Sequence, residues 1–332
     1  MTVDPEQPDP SALAEAARVL RGGGLVAFAT ETVYGLGAVA TDERAVAQIF
    51  AAKGRPASNP VIVHVADIGQ ARSCVVAWPE VAEELARRFW PGPLTLVLNR
   101  AGRIPDIVSA GQPTVAVRAP AGNVARGLIE RTGEPIAAPS ANRSNRLSPT
   151  RCAHVLADLE GQIDLVLDSG PTAVGLESTV LDLTGEPLRL LRPGPISSRE
   201  LESALPGRGL VLPAAGESVE RPTSPGRMAV HYAPRTPSFR VDSSEELARI
   251  SDRQGMAVIA IGAGSVPLAP PLTPVFRLET PDEASRHLYE TLHHCDALGL
   301  RSILVVMPPD RPEWHAVRDR LLRATRPVAS SE

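Results

Sequence analysis

Along this 332-residue chain, apolar segments of period two alternate with segments of helical period, and in places two period-two segments follow one another directly. That mixture restricts the fold more than any single motif. Two strands joined by a short turn pair antiparallel, whereas a strand, a helix and a second strand make a parallel crossover. A chain that uses both connections builds a mixed, twisted sheet covered by helices, an α/β architecture.

Ser11 can cap a helix running to about Leu20, and the glycines of "RGGG" end it before the short strand "LVAFA". A loop, "TETVYGLG", follows. Asp42 caps a second helix whose Val46, Ile49 and Phe50 share one face; Gly54 stops it, so Lys53 and Arg55 flank the helix exit. "PVIVHV" reads as a strand with Val61, Val63 and Val65 on one side and Ile62 and His64 on the other. Beyond it, "PEVAEELARRF" and "NVARGLIERT" are helices, "LTLVL", "TVAVRA" and "PIAA" are strands, and Ser148 with Pro149 opens a helix into "TRCAHVLADL". "LVLD", "STVLDL" and "LRLLR" complete the strands, the last two joined by "TGEP" as a hairpin turn. A first domain is expected over residues 1–207. Residues 208–237, rich in Gly, Pro and Ser, read as a linker, and residues 238–332 as a smaller parallel α/β domain built on "MAVIAIG", "DEASRHLYETLHHCDALG" and "SILVVM".

Composition narrows the function. Lys plus Arg number 34 against 38 Asp plus Glu, so there is no global basic field to capture a polyanion. Aromatics, at 3%, leave little material for base stacking. Cys74, Cys152 and Cys295 are scattered and form no CxxC pair, which argues for a reducing compartment without disulfides or a Cys-based zinc site. The N-terminus is acidic and proline-rich, unlike a signal peptide, and no apolar run nears the ~18 residues of a membrane span. A cytoplasmic protein with no membrane association is expected.

Several polar groups stand out, each with a plainer explanation beside it. Lys53 and Arg55 around Gly54 could grip an anion, or simply complement a solvated helix end. Thr114 and Arg118 share one face of "TVAVRA", as they would on a solvent-facing strand, and His64 fits a structural histidine as well as a functional one. "PSANRSNRLSPT" gathers Ser140, Asn142, Ser144, Asn145 and Ser148 before a helix start, where free backbone N–H groups can receive an anion or a serine can act as an ordinary cap. "GAGS", residues 262–265, lacks the full GxGxxG and reads as a loop; "HHC", residues 293–295, points three ways on a helix, so no metal site is expected. These residues alone lead to a soluble α/β protein with candidate anion-binding loops.

Taken in order, "TETVYGLG", "KGRPASNPVIVHV", "WPGPLTLVL", "TVAVRAP", "PIAAPSANRSNRLSPT", "LRPGPIS" and "SPGRMAVHYAP" resemble the threonylcarbamoyl-AMP synthase family in its two-domain form, over about residues 12–237. The resemblance implies a YrdC-type mixed-sheet domain, a linker that folds back as a lid, and a Rossmann-like C-terminal domain. It implies that L-threonine, bicarbonate or CO2 and ATP with Mg²⁺ give threonylcarbamoyl-AMP and pyrophosphate. A partner threonylcarbamoyl transferase complex would then modify tRNA, with direct tRNA contact by this chain left open.

By the same resemblance, Lys53, Arg55, Ser140 and Asn142 form the catalytic signature. Thr32, His64, Arg118 and the Ala138 backbone would contact threonine, Arg118 through its carboxylate. Arg55, Asn59, Thr114, Ser140, Ser148, Arg192 and, on the linker, Tyr232 would contact ATP, with Lys53 and Arg192 offsetting phosphate charge. A nucleic-acid-binding module is the rival of a different class, disfavoured by the charge and the few aromatics. Carbamoyl-adenylate chemistry of the hydrogenase-maturation kind would need zinc-finger and acylphosphatase-like regions that this chain lacks.

Overall fold

The computed structural model describes residues 1–213, 232–262 and 274–328. Its first ten strands are β1 (Val26–Ala29), β2 (Tyr34–Val39), β3 (Ile62–His64), β4 (Leu94–Asn99), β5 (Thr114–Arg118), β6 (Ile136–Ala137), β7 (Leu165–Leu167), β8 (Thr179–Asp182), β9 (Leu188–Arg192) and β10 (Leu210–Val211). They form one sheet in the order β10-β9-β8-β4-β5-β3-β6-β2-β1-β7. Pairing is mixed, as the connections require: β3 runs parallel to β5, and β6 antiparallel to both β3 and β2. This sheet reaches Val211, past the expected end of the first domain at 207.

A second, smaller domain follows. β11 (Ser238–Val241), β12 (Met256–Ile261), β13 (Val275–Leu278), β14 (Ser302–Val306) and β15 (Arg326–Pro327) lie in the order β13-β12-β14-β11-β15, all parallel. The helices Pro281–Ala297 and His315–Ala324 cover it. Most of the "SPGRMAVHYAP" segment and of the "GAGS" turn lies outside the described residues. Among the described residues no helix is long and apolar enough to cross a membrane.

Three local expectations are corrected. "TETVYGLG" is a strand from Tyr34 onward, because β2 is buried on both faces and so shows no alternation. Its glycines admit close neighbours: a Cβ at Gly37 would lie 2.7 Å from Phe28 Cε1 and 2.9 Å from Ile136 Cγ2. The first helix, Pro10–Arg21, is capped by Asp9, which accepts from the Ser11 N–H, because Pro10 has no N–H to give and suits the first turn. Ser148 caps nothing; the helix after it begins at Cys152 with no side-chain cap. The helix Glu43–Lys53 forms as expected, with Asp42 accepting from Arg44 and Ala45 N–H and Gly54 left-handed at φ 59°.

The domains share a core. Val33, Leu147, Leu176 and Tyr232 pack in one buried cluster with Leu288, Tyr289, Val317 and Leu321. At Gly175, φ 82°, the loop before β8 touches the helix Pro281–Ala297 so closely that a Cβ would sit 2.4 Å from the Arg286 carbonyl oxygen.

Candidate functional site

The centre of the large sheet sets the site. Parallel pairing of β3 with β5 places His64 opposite Arg118, and Ala138, just past β6, donates its N–H to the Ile62 carbonyl at 2.9 Å. The loop after β6 is tied to β2 by a bridge between Gly35 and Ser140 and by the Ala141 N–H on the Tyr34 carbonyl, 2.8 Å. The cleft so formed is lined by Thr32, Arg55, His64, Arg118, Ala138, Ser140, Glu177, Ser178, Arg192 and Tyr232.

Four cations are buried around it. Lys53, at the end of its helix, donates Nζ–H to the carbonyls of Ser140 and Asn142. Arg55 donates to the carbonyls of Asn59 at 3.1 Å and Pro60 at 2.7 Å, and Arg192 to that of Ser178 at 2.9 Å and to Ser178 Oγ at 3.2 Å. Burial holds all three below their ordinary pKa, aided for Lys53 by Arg55 and for Arg55 by Arg192; Arg55 falls to about 10. Among the described residues no carboxylate pairs with Lys53 or Arg55, and Arg55, at about 10, keeps its charge at neutral pH and can meet an anion in the cleft.

The opposite side differs. Arg118 pairs with Glu31 at 2.7 Å and donates to Thr32 Oγ1 at 3.0 Å and to the Gly92 carbonyl at 3.2 Å. Thr32 Oγ1 lies 2.7 Å from Thr30 Oγ1. Burial and the neighbouring Arg118 push His64 down to about 3, so its ring is neutral at ordinary pH.

Most of the expected residues therefore meet. Thr32, Arg55, His64, Arg118, Ala138, Ser140, Arg192 and Tyr232 line the cleft, whereas Lys53, Asn59, Asn142 and Ser148 are buried behind it. Thr114 stands apart, at the far end of β5 from Arg118 and paired with Asn99. Tyr232, at φ 60°, is 1% exposed, and the next residue, Ala233, is tied by its N–H to the Asn145 carbonyl at 3.0 Å.

Sequence reasoning missed four participants: Glu31, Glu177, Tyr289 and Arg320. The Ser148 hydroxyl donates to Glu177, which also receives Arg320 Nε at 2.8 Å and Tyr289 Oη at 3.1 Å. Burial alone would raise the Glu177 carboxyl, but Arg320 and Arg192 outweigh it and bring it to about 2. Glu31 stood inside a quoted motif and Glu177 just beyond one, but nothing local marked the partners from the second domain. Among the described residues no group of three or more His, Cys, Asp or Glu side chains could hold a metal ion.

Comparison with known proteins agrees with this geometry. A family model described as "Telomere recombination" matches residues 18–194, and one described as "Threonylcarbamoyl-AMP synthase, C-terminal domain" matches residues 196–325. The chain is 44% identical to the threonylcarbamoyl-AMP synthase of Pyrococcus abyssi over 93% of both chains. It is 40% identical to that of Bacillus subtilis over 94% of this chain and 92% of the relative. The crystal structure of Pyrococcus abyssi Sua5 complexed with L-threonine superposes with a TM-score of 0.90 at 40% identity, covering 99% of each chain. With both domains matched along nearly their whole length, the chain belongs to the threonylcarbamoyl-AMP synthase family.

Proposed function

We infer that the chain condenses L-threonine, CO2 or bicarbonate, and ATP into threonylcarbamoyl-AMP and pyrophosphate. The observation that carries this reading is one cleft with two unlike walls. On one side lies Arg55, buried and without a carboxylate partner among the described residues, with Lys53 behind it and Arg192 nearby; on the other lie Arg118, Thr32 and His64.

In this reading the threonine amine adds to CO2 and loses a proton to become a carbamate. A carbamate oxygen then attacks the α-phosphorus, and pyrophosphate leaves with the bond electrons. Catalysis of such a step is mainly positioning and charge stabilisation. Arg118 would bind the threonine carboxylate, beside or in place of Glu31, with Thr32, His64 and the Ala138 backbone around it. His64, at about 3, is too weak a base to take the amine proton at neutral pH and serves as a neutral contact. Arg55, Ser140, Arg192 and Tyr232 would face the nucleotide, with Lys53, Asn59, Asn142 and Ser148 holding that wall.

Glu177, the carboxylate in the cleft wall, is already bonded by Ser148, Tyr289 and Arg320, so we assign Mg²⁺ to the phosphates of the MgATP substrate. Tyr232, near the end of the expected 208–237 linker, lines the cleft, which supports a role for it in closing over the nucleotide between a first domain whose sheet runs to Val211 and a second from about 238. The product would pass to a transferase complex acting on tRNA in the cytoplasm. Pyrophosphate release by the purified chain, with and without L-threonine, and mass spectrometry of the nucleotide product test the reading. Threonine-dependent release with a threonylcarbamoyl adenylate is expected; release indifferent to threonine, or none, refutes it.

A further inference from the structure

The cleft lies in the first domain, yet one of its walls is held from the second. Arg320 is one of the largest fully buried side chains among the described residues, and it sits on the helix His315–Ala324, across the domain boundary from the cleft. Its Nε donates to Glu177 Oε2 at 2.8 Å, its Nη1 pairs with Asp319 at 2.7 Å, and its guanidinium carbon lies 5.2 Å from the centre of the Tyr232 ring. Asp319 is in turn held by Arg323 at 2.9 Å, so the guanidinium is gripped by two carboxylates. Glu177 passes the constraint on: its other oxygen accepts the Ser148 hydroxyl, and the adjacent Ser178 carbonyl accepts Arg192. Three groups assigned above to the nucleotide side, Ser148, Arg192 and Tyr232, therefore depend on one side chain that touches no substrate.

We propose that Arg320 is a positioning residue for nucleotide binding, through which docking of the second domain sets the ATP wall of the first. The proposal rests on the synthase reading. Glu177 in the cleft wall, with Arg192 close by, explains why a charged partner is required. Stripped of Arg320, the carboxylate is left buried without its cation and turns to Arg192, which is then lost to phosphate. The threonine side has no charged link of this kind: Arg118 is held by Glu31, Thr32 and Gly92 within the first domain, and the loop that touches the second domain reaches this side only by its backbone, Val174 and Gly175 donating their N–H groups to the Glu31 and Thr32 carbonyls.

The test is steady-state kinetics of pyrophosphate release, together with calorimetric binding of a non-hydrolysable ATP analogue, for wild type, R320Q, R320K, E177Q and E177Q/R320Q. For R320Q we expect ATP KM and analogue Kd to rise about 10-fold or more, with the threonine KM within about twofold; R320K recovers part of the loss, since a point charge holds Glu177 but not Asp319 as well. In the E177Q background, which removes the buried charge, R320Q costs much less. R151A, which breaks an exposed Arg151–Glu290 bridge across the same interface, leaves both KM values unchanged. Equal rises in both KM values, full additivity in the cycle, or an R151A effect as large as that of R320Q would overturn the proposal. If R320Q does not fold, R320K and the double variant decide it. A wild type that binds the analogue but releases no threonine-dependent pyrophosphate would refute the synthase reading and leave the analogue-binding arms to judge Arg320.

Discussion

Replacing Gly175 with alanine perturbs the domain junction with the smallest possible group. The new Cβ would sit 2.4 Å from the Arg286 carbonyl oxygen and 2.5 Å from that of Ser285, where ordinary contact begins at 3.4 Å, so loop and helix must part by about 1 Å. Both are backbone atoms, which cannot swing aside as a side chain would. A left-handed alanine costs roughly 1–2 kcal/mol and overpacking a further 1–3, so about 2–5 kcal/mol in all. For a protein of 332 residues that corresponds to a melting point lower by roughly 3–7 °C. Glu177 lies two residues along the same loop, and 1 Å of retreat takes its 2.8 Å bond to Arg320 out of hydrogen-bond range. Scanning calorimetry and the ATP KM should therefore move together. Gly111→Ala is the control, because φ there is 74° but nothing lies within 4 Å of the added Cβ; only the dihedral part, about 1–2 kcal/mol, remains. Equal melting points for the two variants, or a Gly175→Ala protein with wild-type ATP KM, would refute the reasoning.

Arg118→Ala should raise the threonine KM about 30-fold or more while ATP affinity stays within about threefold, the cost of deleting one partner of a buried charge pair being about 2–5 kcal/mol; comparable loss for both substrates contradicts the assignment. Ser148→Ala removes a donor to an ionised carboxylate and should cost about 1.5–3 kcal/mol of stability with a raised ATP KM, and a variant with unchanged melting point and KM would remove Ser148 from the Glu177 relay. Acid should destabilise the fold through His64 and His154, both pushed to about 3, His64 by burial and Arg118 and His154 by burial and His293. Their folded pKa lies below the unfolded value, so their contribution is intact above about 6.5 and is lost as pH falls towards 3, by at most ~1.4 kcal/mol per pH unit for buried His64 and less for the partly exposed His154. Urea unfolding from pH 7 to pH 4 measures it, and substituting His154 should flatten the slope.

Local signals served well where the partners were local. Asp42, the apolar face of Val46, Ile49 and Phe50, and Gly54 fixed one helix at both ends, and that helix ends at Lys53, which ties the Ser140 and Asn142 carbonyls behind the cleft. β2 escaped detection because a strand buried on both faces has no polar alternation, and its glycines resemble those of a turn. Ser148 looked like a cap because the partner of its hydroxyl, Glu177, is 29 residues away. Arg320, on a helix with Arg318 and Arg323, looks like part of a solvated face, and only its contact 143 residues back with Glu177 explains its burial. The site assignments themselves came from the order of motifs and their family resemblance, since spacing alone left each cation with a plainer explanation.

The shared core of Val33, Leu147, Leu176 and Tyr232 with the second domain also bears on how the chain can be divided. A cut after the large sheet would leave Val33, Leu147 and Leu176 as a fresh apolar scar beside the cleft, inviting self-association of the fragment. Because that cluster is buried by both halves, the two should melt as one cooperative unit, and protease nicking between them should lower the stability of both rather than release two independent bodies.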